Sequence, residues 1–177
     1  MLELYPSAHL YVLDIKRRDF ATWPGVLSQD EAPPPLHGAQ RVQVWQPIVE
    51  KEAQIEKWLH HIEHDPPALL YVDELAALIY GRDRFSEAYR RLQKLGRGLP
   101  VGTISLTQEL AGIPRQAIGQ ATHVIRFRLL NAYEQRLGDR LTRRIEQGEP
   151  AHRHGFFYAS EENGLPGFYY RDKDEFF

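Results

Sequence analysis

The chain contains no cysteine. A disulfide framework, cysteine-ligated zinc and thiol catalysis are therefore excluded. No apolar run approaches the ~20 residues that span a bilayer. The opening residues, Met1 to Pro6, lack the basic and apolar stretches of a signal peptide, so the expected compartment is the cytoplasm. Neither sign of charge dominates: 22 Lys and Arg stand against 24 Asp and Glu, a formal net charge of -2. That excludes a globally basic nucleic-acid coat and leaves room for a local basic groove. Internal repeats and low-complexity tracts are missing as well. What remains is 177 residues, 42% hydrophobic and 26% charged, the balance of a globular protein with one sizeable core.

The order of elements can be read from periodicity. Residues 9–15, HLYVLDI, form a short apolar run rich in β-formers, expected as a buried parallel strand. Residues 17–39 carry Pro24-Gly25 and Pro33-Pro34-Pro35 and read as an excursion loop. Val42 and Val44 alternate with polar neighbours over 41–45, which predicts a second strand. Ile55, Trp58, Leu59 and Ile62 keep helical spacing, giving an amphipathic helix over 49–63 that ends before Pro66-Pro67. Residues 68–72 form another buried strand. Phe85, Tyr89 and Leu92 predict a helix over 84–95, ended by Gly96 and Gly98. A strand over 100–106 follows, then a loop with a short helix over 109–121 and a strand over 122–129. Asn131 and Glu134 fit the start of a helix with Tyr133, Leu137, Leu141 and Ile145 on its apolar face, stopped by Gly148 and Pro150. Two aromatic segments, 155–159 and 167–171, flank Glu161-Glu162-Asn163-Gly164 and predict a β-hairpin. Strands alternating with helices predict an α/β fold with a mostly parallel sheet and flanking helices, plus a C-terminal helix and hairpin.

Ligands of such sheets sit at the carboxyl ends of the strands. Three predicted strand ends carry polar residues: Asp14-Ile15-Lys16, Asp73-Glu74 and Thr107-Gln108. The acid pair follows Leu69-Leu70-Tyr71-Val72. Nucleotide hydrolysis uses such a pair. One carboxylate, Asp73, holds Mg²⁺ through its waters, since Mg²⁺ prefers oxygen ligands and keeps much of its hydration. The second, Glu74, orients and deprotonates the attacking water. Gln108, on the next strand, is placed to sense the γ-phosphate. The plainer alternative is a strand that leaves the core through two acids.

From about residue 9 to 129 the sequence resembles the FtsK/HerA group of P-loop ATPases, the DNA-pumping motors. The resemblance rests on Asp14-Ile15-Lys16 with Asp19-Phe20, on Asp73-Glu74, on Gly96-Arg97-Gly98, on Thr107-Gln108, on Ile113-Pro114 and on Val124-Ile125-Arg126-Phe127-Arg128. Ile15 stands where the group has proline. The resemblance implies ATP hydrolysis with Mg²⁺, coupled to movement along DNA, usually in a homohexameric ring. It implies Asp73 for Mg²⁺, Glu74 as general base, Gln108 as sensor and Arg97 as an arginine finger reaching a neighbouring subunit's nucleotide. Arg115 is a second candidate for that finger. Asp14, Lys16 and Thr107 fall on the cofactor side of the same strand ends. Residues 1–150 would form an incomplete RecA-like ATPase core, and 151–177 a hairpin and tail packed on the same domain.

The group's phosphate loop, G-x-x-x-x-G-K-[ST], is missing, and no Gly-Lys dipeptide occurs in the chain. That loop cradles phosphates with backbone N–H groups and a lysine. Three explanations stand: a longer protein carrying the loop upstream, a loop supplied by another polypeptide, or a non-hydrolysing relative that binds DNA or a partner. Without the loop's strand, the sheet is expected to show a gap or an exposed edge.

Other groups have plainer readings beside the functional ones. His60 and His64, with His61 beside them and His152 and His154 as further donors, fit a metal, but a helix C-terminus favours histidine through the macrodipole alone. Arg136, Arg140, Arg143 and Arg144, or Arg82, Arg84, Arg90 and Arg91, fit DNA phosphates or a salt-bridged surface. Phe156, Phe157, Tyr158, Phe168, Tyr169 and Tyr170 fit base stacking or the cover of a sheet face.

Overall fold

The computed structural model describes residues 7–17, 20–23, 25–49, 51–81, 84–95, 98, 100–108, 112–114, 117, 120–127, 156–160 and 167–169. The chain divides into two compact units, Met1–Gln108 and Glu109–Phe177.

The first unit is built on a five-stranded parallel sheet. Its strands are β1 (His9–Leu13), β2 (Val26–Ser28), β3 (Val42–Gln46), β4 (Ala68–Val72) and, beyond a short antiparallel pair β5 (Ile79–Tyr80) and β6 (Arg84–Phe85), β7 (Val101–Ser105). Their spatial order is β2-β3-β1-β4-β7, and every neighbouring pair is parallel. The expected mostly parallel α/β sheet is therefore present. Strands buried on both faces need apolar side chains in succession, which is why Leu10 to Leu13 and Ala68 to Val72 read as continuous runs.

Helix α1 (Glu52–Glu63) and helix α2 (Glu87–Leu95) cover one face. Ile55, Trp58, Leu59 and Ile62 of α1 are fully buried. Trp58 stacks edge-on against Tyr11 at 5.8 Å between ring centres and lies 5.4 Å from Trp45. Its indole N–H donates to the Gln43 side-chain oxygen at 2.7 Å, and the Gln43 amide donates to the Pro34 carbonyl at 2.8 Å. A buried polar side chain thus has partners on both its groups. It also ties the proline-rich loop to the helix.

Several boundaries differ from the sequence reading. The excursion loop over 17–39 contains a strand, β2, which pairs with β3. Three residues between prolines are too few to show a period. The helix over 49–63 begins at Glu52. The helix expected from 84 begins at Glu87, because Arg84 and Phe85 pair with Tyr80 and Ile79. Ser86 supplies the stop between the two: its hydroxyl accepts the Tyr89 backbone N–H at 3.0 Å, the bond of an N-cap. A carboxylate of α1, Glu56, accepts the Ala88 N–H at 2.9 Å.

In the second unit, β8 (His123–Phe127), β9 (Phe156–Ser160) and β10 (Gly167–Tyr169) form an antiparallel sheet in the order β10-β9-β8. The strand expected over 122–129 therefore belongs with the C-terminal hairpin, not with the parallel sheet. The unit boundary falls after Gln108, whereas the sequence reading placed it near residue 150. The helix expected from Asn131 to Gly148 lies outside the described residues.

β7 ends the parallel sheet, and among the described residues no strand pairs with its outer edge. Ile104 and Leu106 are exposed there, at 38% and 43%. No helix among the described residues is long and apolar enough to cross a membrane.

Two outcomes test this packing. Trp58→Ala removes a fully buried indole and orphans Gln43, so urea unfolding should show a loss of about 3–5 kcal/mol. Between the helices, Arg91 grips the buried Glu63 carboxylate through contacts of 2.6–3.2 Å. Burial pushes the Glu63 pKa up, but the bonds from Arg91 and His60 outweigh it and leave the value below the ordinary 4.5. A depressed folded-state value gives stability that is present above the unfolded pKa and lost as pH falls through the folded one. Arg91→Met should therefore destabilise the protein at pH 7, and the difference from wild type should vanish below the carboxylate range in a pH series of thermal melts.

Candidate functional site

Right-handed crossovers send a chain moving one way across a parallel sheet over one face, and the other way over the opposite face. From β1 the chain moves toward β3; from β3 it crosses back to β4 and on to β7. After β1 it runs over the face bearing Tyr71, where Phe20 packs at 5.2 Å between ring centres. After β4 it runs over the other face, where the Tyr89 hydroxyl of α2 meets Ser105 at 2.6 Å. The neighbouring strands β1 and β4 thus diverge at their carboxyl ends, and ligands of such sheets bind at this switch point.

The strand ends stay level there. Leu13 is in register with both Trp45 and Val72, and Val72 with Ser105. The Asp14 N–H donates to the Trp45 carbonyl at 3.0 Å and the Asp73 N–H to the Leu13 carbonyl at 3.1 Å. Leu106 donates to the Val72 carbonyl at 2.9 Å. The ladder therefore continues one residue beyond each strand and fixes where Asp14, Asp73 and Thr107 emerge.

Four of the residues singled out from the sequence meet in this crevice. The Lys16 ammonium lies 3.2 Å from Glu74 Oε2 and 4.0 Å from Asp73 Oδ1. It also donates to the Asp73 carbonyl at 3.4 Å. The Thr107 hydroxyl donates to Glu74 Oε1 at 2.7 Å. The backbone N–H of Ala76 reaches the same oxygen at 3.4 Å, so Glu74 caps the 3₁₀ turn Leu75–Leu78. Asp73 is 3% exposed and Glu74 17%. Both are held where charge is costly without partners. Their oxygens suit a hard cation such as Mg²⁺. The fit is supported by Lys16 itself: a positive charge already stands between the two carboxylates.

Asp14 is placed differently. It is fully buried, and its two oxygens accept the Arg17 backbone N–H at 2.8 Å and the Gln46 amide at 2.7 Å. It braces the turn that carries Lys16. Gln46 escaped the sequence reading because the strand was ended at Trp45; its signal was its level with Asp14 on the adjacent strand. Gln108 is exposed at the end of β7, beside the Thr107 that contacts Glu74. Arg97 and Arg115 lie outside the described residues.

The remaining candidates separate clearly. Donor atoms of His60, Glu63 and His64 lie within 4.8 Å of one another. Glu63 is already committed to Arg91, which leaves two imidazoles at an exposed helix end. His152 and His154 lie outside the described residues. Arg84, Arg90 and Arg91 pair with Glu52, Glu87 and Glu63, a salt-bridged surface. Arg82, the arginines of 136–144 and Tyr170 lie outside the described residues.

No protein-family model and no curated protein sequence matches the chain. Solved structures do. The DNA-packaging ATPase B204 from Sulfolobus turreted icosahedral virus superposes with a TM-score of 0.70 at 13% identity, over 96% of this chain and 85% of that one. The genome packaging NTPase B204 from Sulfolobus turreted icosahedral virus 2 gives 0.66 at 11% with AMPPCP bound, over 96% and 85%. With ATP-gammaS bound it gives 0.59 at 12%, over 93% and 98%. The chain has the fold of these packaging ATPases.

Asp14→Ala distinguishes bracing from ligand binding. It strands the buried Gln46 amide and the Arg17 N–H, so chemical denaturation should show a loss of about 1–3 kcal/mol without any ligand present.

Proposed function

We propose that the chain is the catalytic strand-end portion of an ATPase that moves or packages DNA. The observation that carries this reading is the meeting of Lys16, Asp73, Glu74 and Thr107 at the switch point of a parallel sheet. The shared fold supports it, since two of the similar structures were solved with ATP-gammaS and AMPPCP.

In this reading Asp73 holds Mg²⁺ through water, with Lys16 and Thr107 beside it. Mg²⁺, when bound, neutralises phosphate charge. Glu74 takes the proton of the attacking water from a position fixed by Thr107 and Ala76. Gln108, exposed at the next strand end, senses the γ-phosphate. Arg97 reaches the nucleotide of a neighbouring subunit in a homohexameric ring, with Arg115 as the other candidate. Asp14 acts through the turn it braces. DNA is the partner, and the cytoplasm the compartment.

The phosphate loop has to come from residues outside these 177 or from a partner chain. The outer edge of β7 offers a further parallel strand a place to pair. The missing loop also favours a second reading, a non-hydrolysing subunit that binds DNA or a partner. DNA binding by the 177-residue chain that is indifferent to ATP would select it.

In the assembly that carries the phosphate loop, Glu74→Gln should cut ATP turnover by roughly 10²–10⁴-fold while nucleotide still binds. Undiminished turnover in a steady-state phosphate-release assay would overturn the assignment.

A further inference from the structure

The turn leaving β1 is braced more heavily than an exit loop requires. Asp14 is buried and accepts from Arg17 and Gln46. Arg17 has φ of 55°, in the left-handed region that non-glycine residues rarely adopt. Its guanidinium donates to the Pro47 carbonyl on the neighbouring strand's exit. A backbone held in this region persists only where its surroundings over-determine it. The product of the bracing is the position of the Lys16 ammonium, between Glu74 and Asp73. Lys16 is 28% exposed, and its four-carbon stem can swing its charge away while the turn stays in place.

We propose that Lys16 is the built-in counter-ion of the Asp73–Glu74 pair, held where a divalent cation would be held, and that it has to vacate the pair before such a cation is accepted. The inference rests on reading Asp73 as the residue that holds the cation, with the Glu74 carboxylate beside it. It goes further by making Lys16 a competitor of the metal and by giving the carboxylates a resting state with a charge of their own chain. Two carboxylates and one ammonium sum to one negative charge. Without Lys16 the same pair presents two, and a divalent cation is attracted more strongly.

The test is a Mn²⁺ titration of the 177-residue chain without nucleotide, reading free Mn²⁺ by electron paramagnetic resonance. Lys16→Met should bind one Mn²⁺ roughly tenfold more tightly than wild type, the effect of removing one positive charge at about 4 Å in a partly solvated site. Lys16→Arg, which keeps the charge, should stay near wild type. Adding Asp73→Asn to Lys16→Met should erase the gain. Lys16→Gln repeats the comparison if the Met variant does not fold. Unchanged affinity in the folded neutral variants overturns the proposal, and so does a gain that survives Asp73→Asn. No hydrolysis is read: a tenfold gain beside an inactive assembly keeps the Lys16 inference and removes the ATPase reading, and the converse result does the opposite.

Discussion

Two adjacent carboxylates at the end of a buried parallel strand have to be kept charged at the edge of an apolar core. Burying a charge is costly unless it is paired and hydrogen-bonded. The neighbouring strand ends supply those partners: an ammonium from the exit of β1, a hydroxyl beyond β7 and a backbone N–H from the turn after Glu74. None of these groups is adjacent to the pair in sequence, except Ala76. The site exists only because parallel pairing brings three exits to one level.

The packing on one face maintains that level. Trp58 fills the space above Tyr11 and Trp45, and its bond to Gln43 fixes α1 over the sheet. Glu63, the last residue of α1, and Arg91, in the middle of α2, join the two helices. The Glu56 carboxylate and the Ser86 hydroxyl together occupy two of the free N–H groups that begin α2. The helices that cover the sheet are thus tied to one another as well as to the strands. A polar strand-end cluster needs such a frame, because shifts of an ångström there change which groups touch.

Much of the sheet was legible. Continuous apolar runs marked β1 and β4, and the alternation around Val42 and Val44 marked β3, since each pattern follows from burial. The acid pair after β4 and the Thr-Gln after β7 were visible as polar residues that interrupt such runs. β2 was not legible, because its three residues gain their strand conformation from pairing with β3 and not from a local pattern. The start of α2 was misplaced because Phe85 shares the helix spacing yet lies in β6; Ser86 was the overlooked signal. β8 read as one more strand of the parallel sheet. Local sequence carries β-propensity but not the identity of the partner, and here the partner is β9.

The sequence by itself determined the α/β class, the buried central strands, the position of the acid pair and the missing phosphate loop. Each of these depends on composition, periodicity or the presence of a motif. Only the tertiary structure decided the strand order, the assignment of β8, the bracing role of Asp14 and the pairing of Lys16 and Thr107 with Glu74. Those depend on contacts between residues well separated in the chain, such as Asp14 with Gln46 and Thr107 with Glu74, which local pattern does not encode.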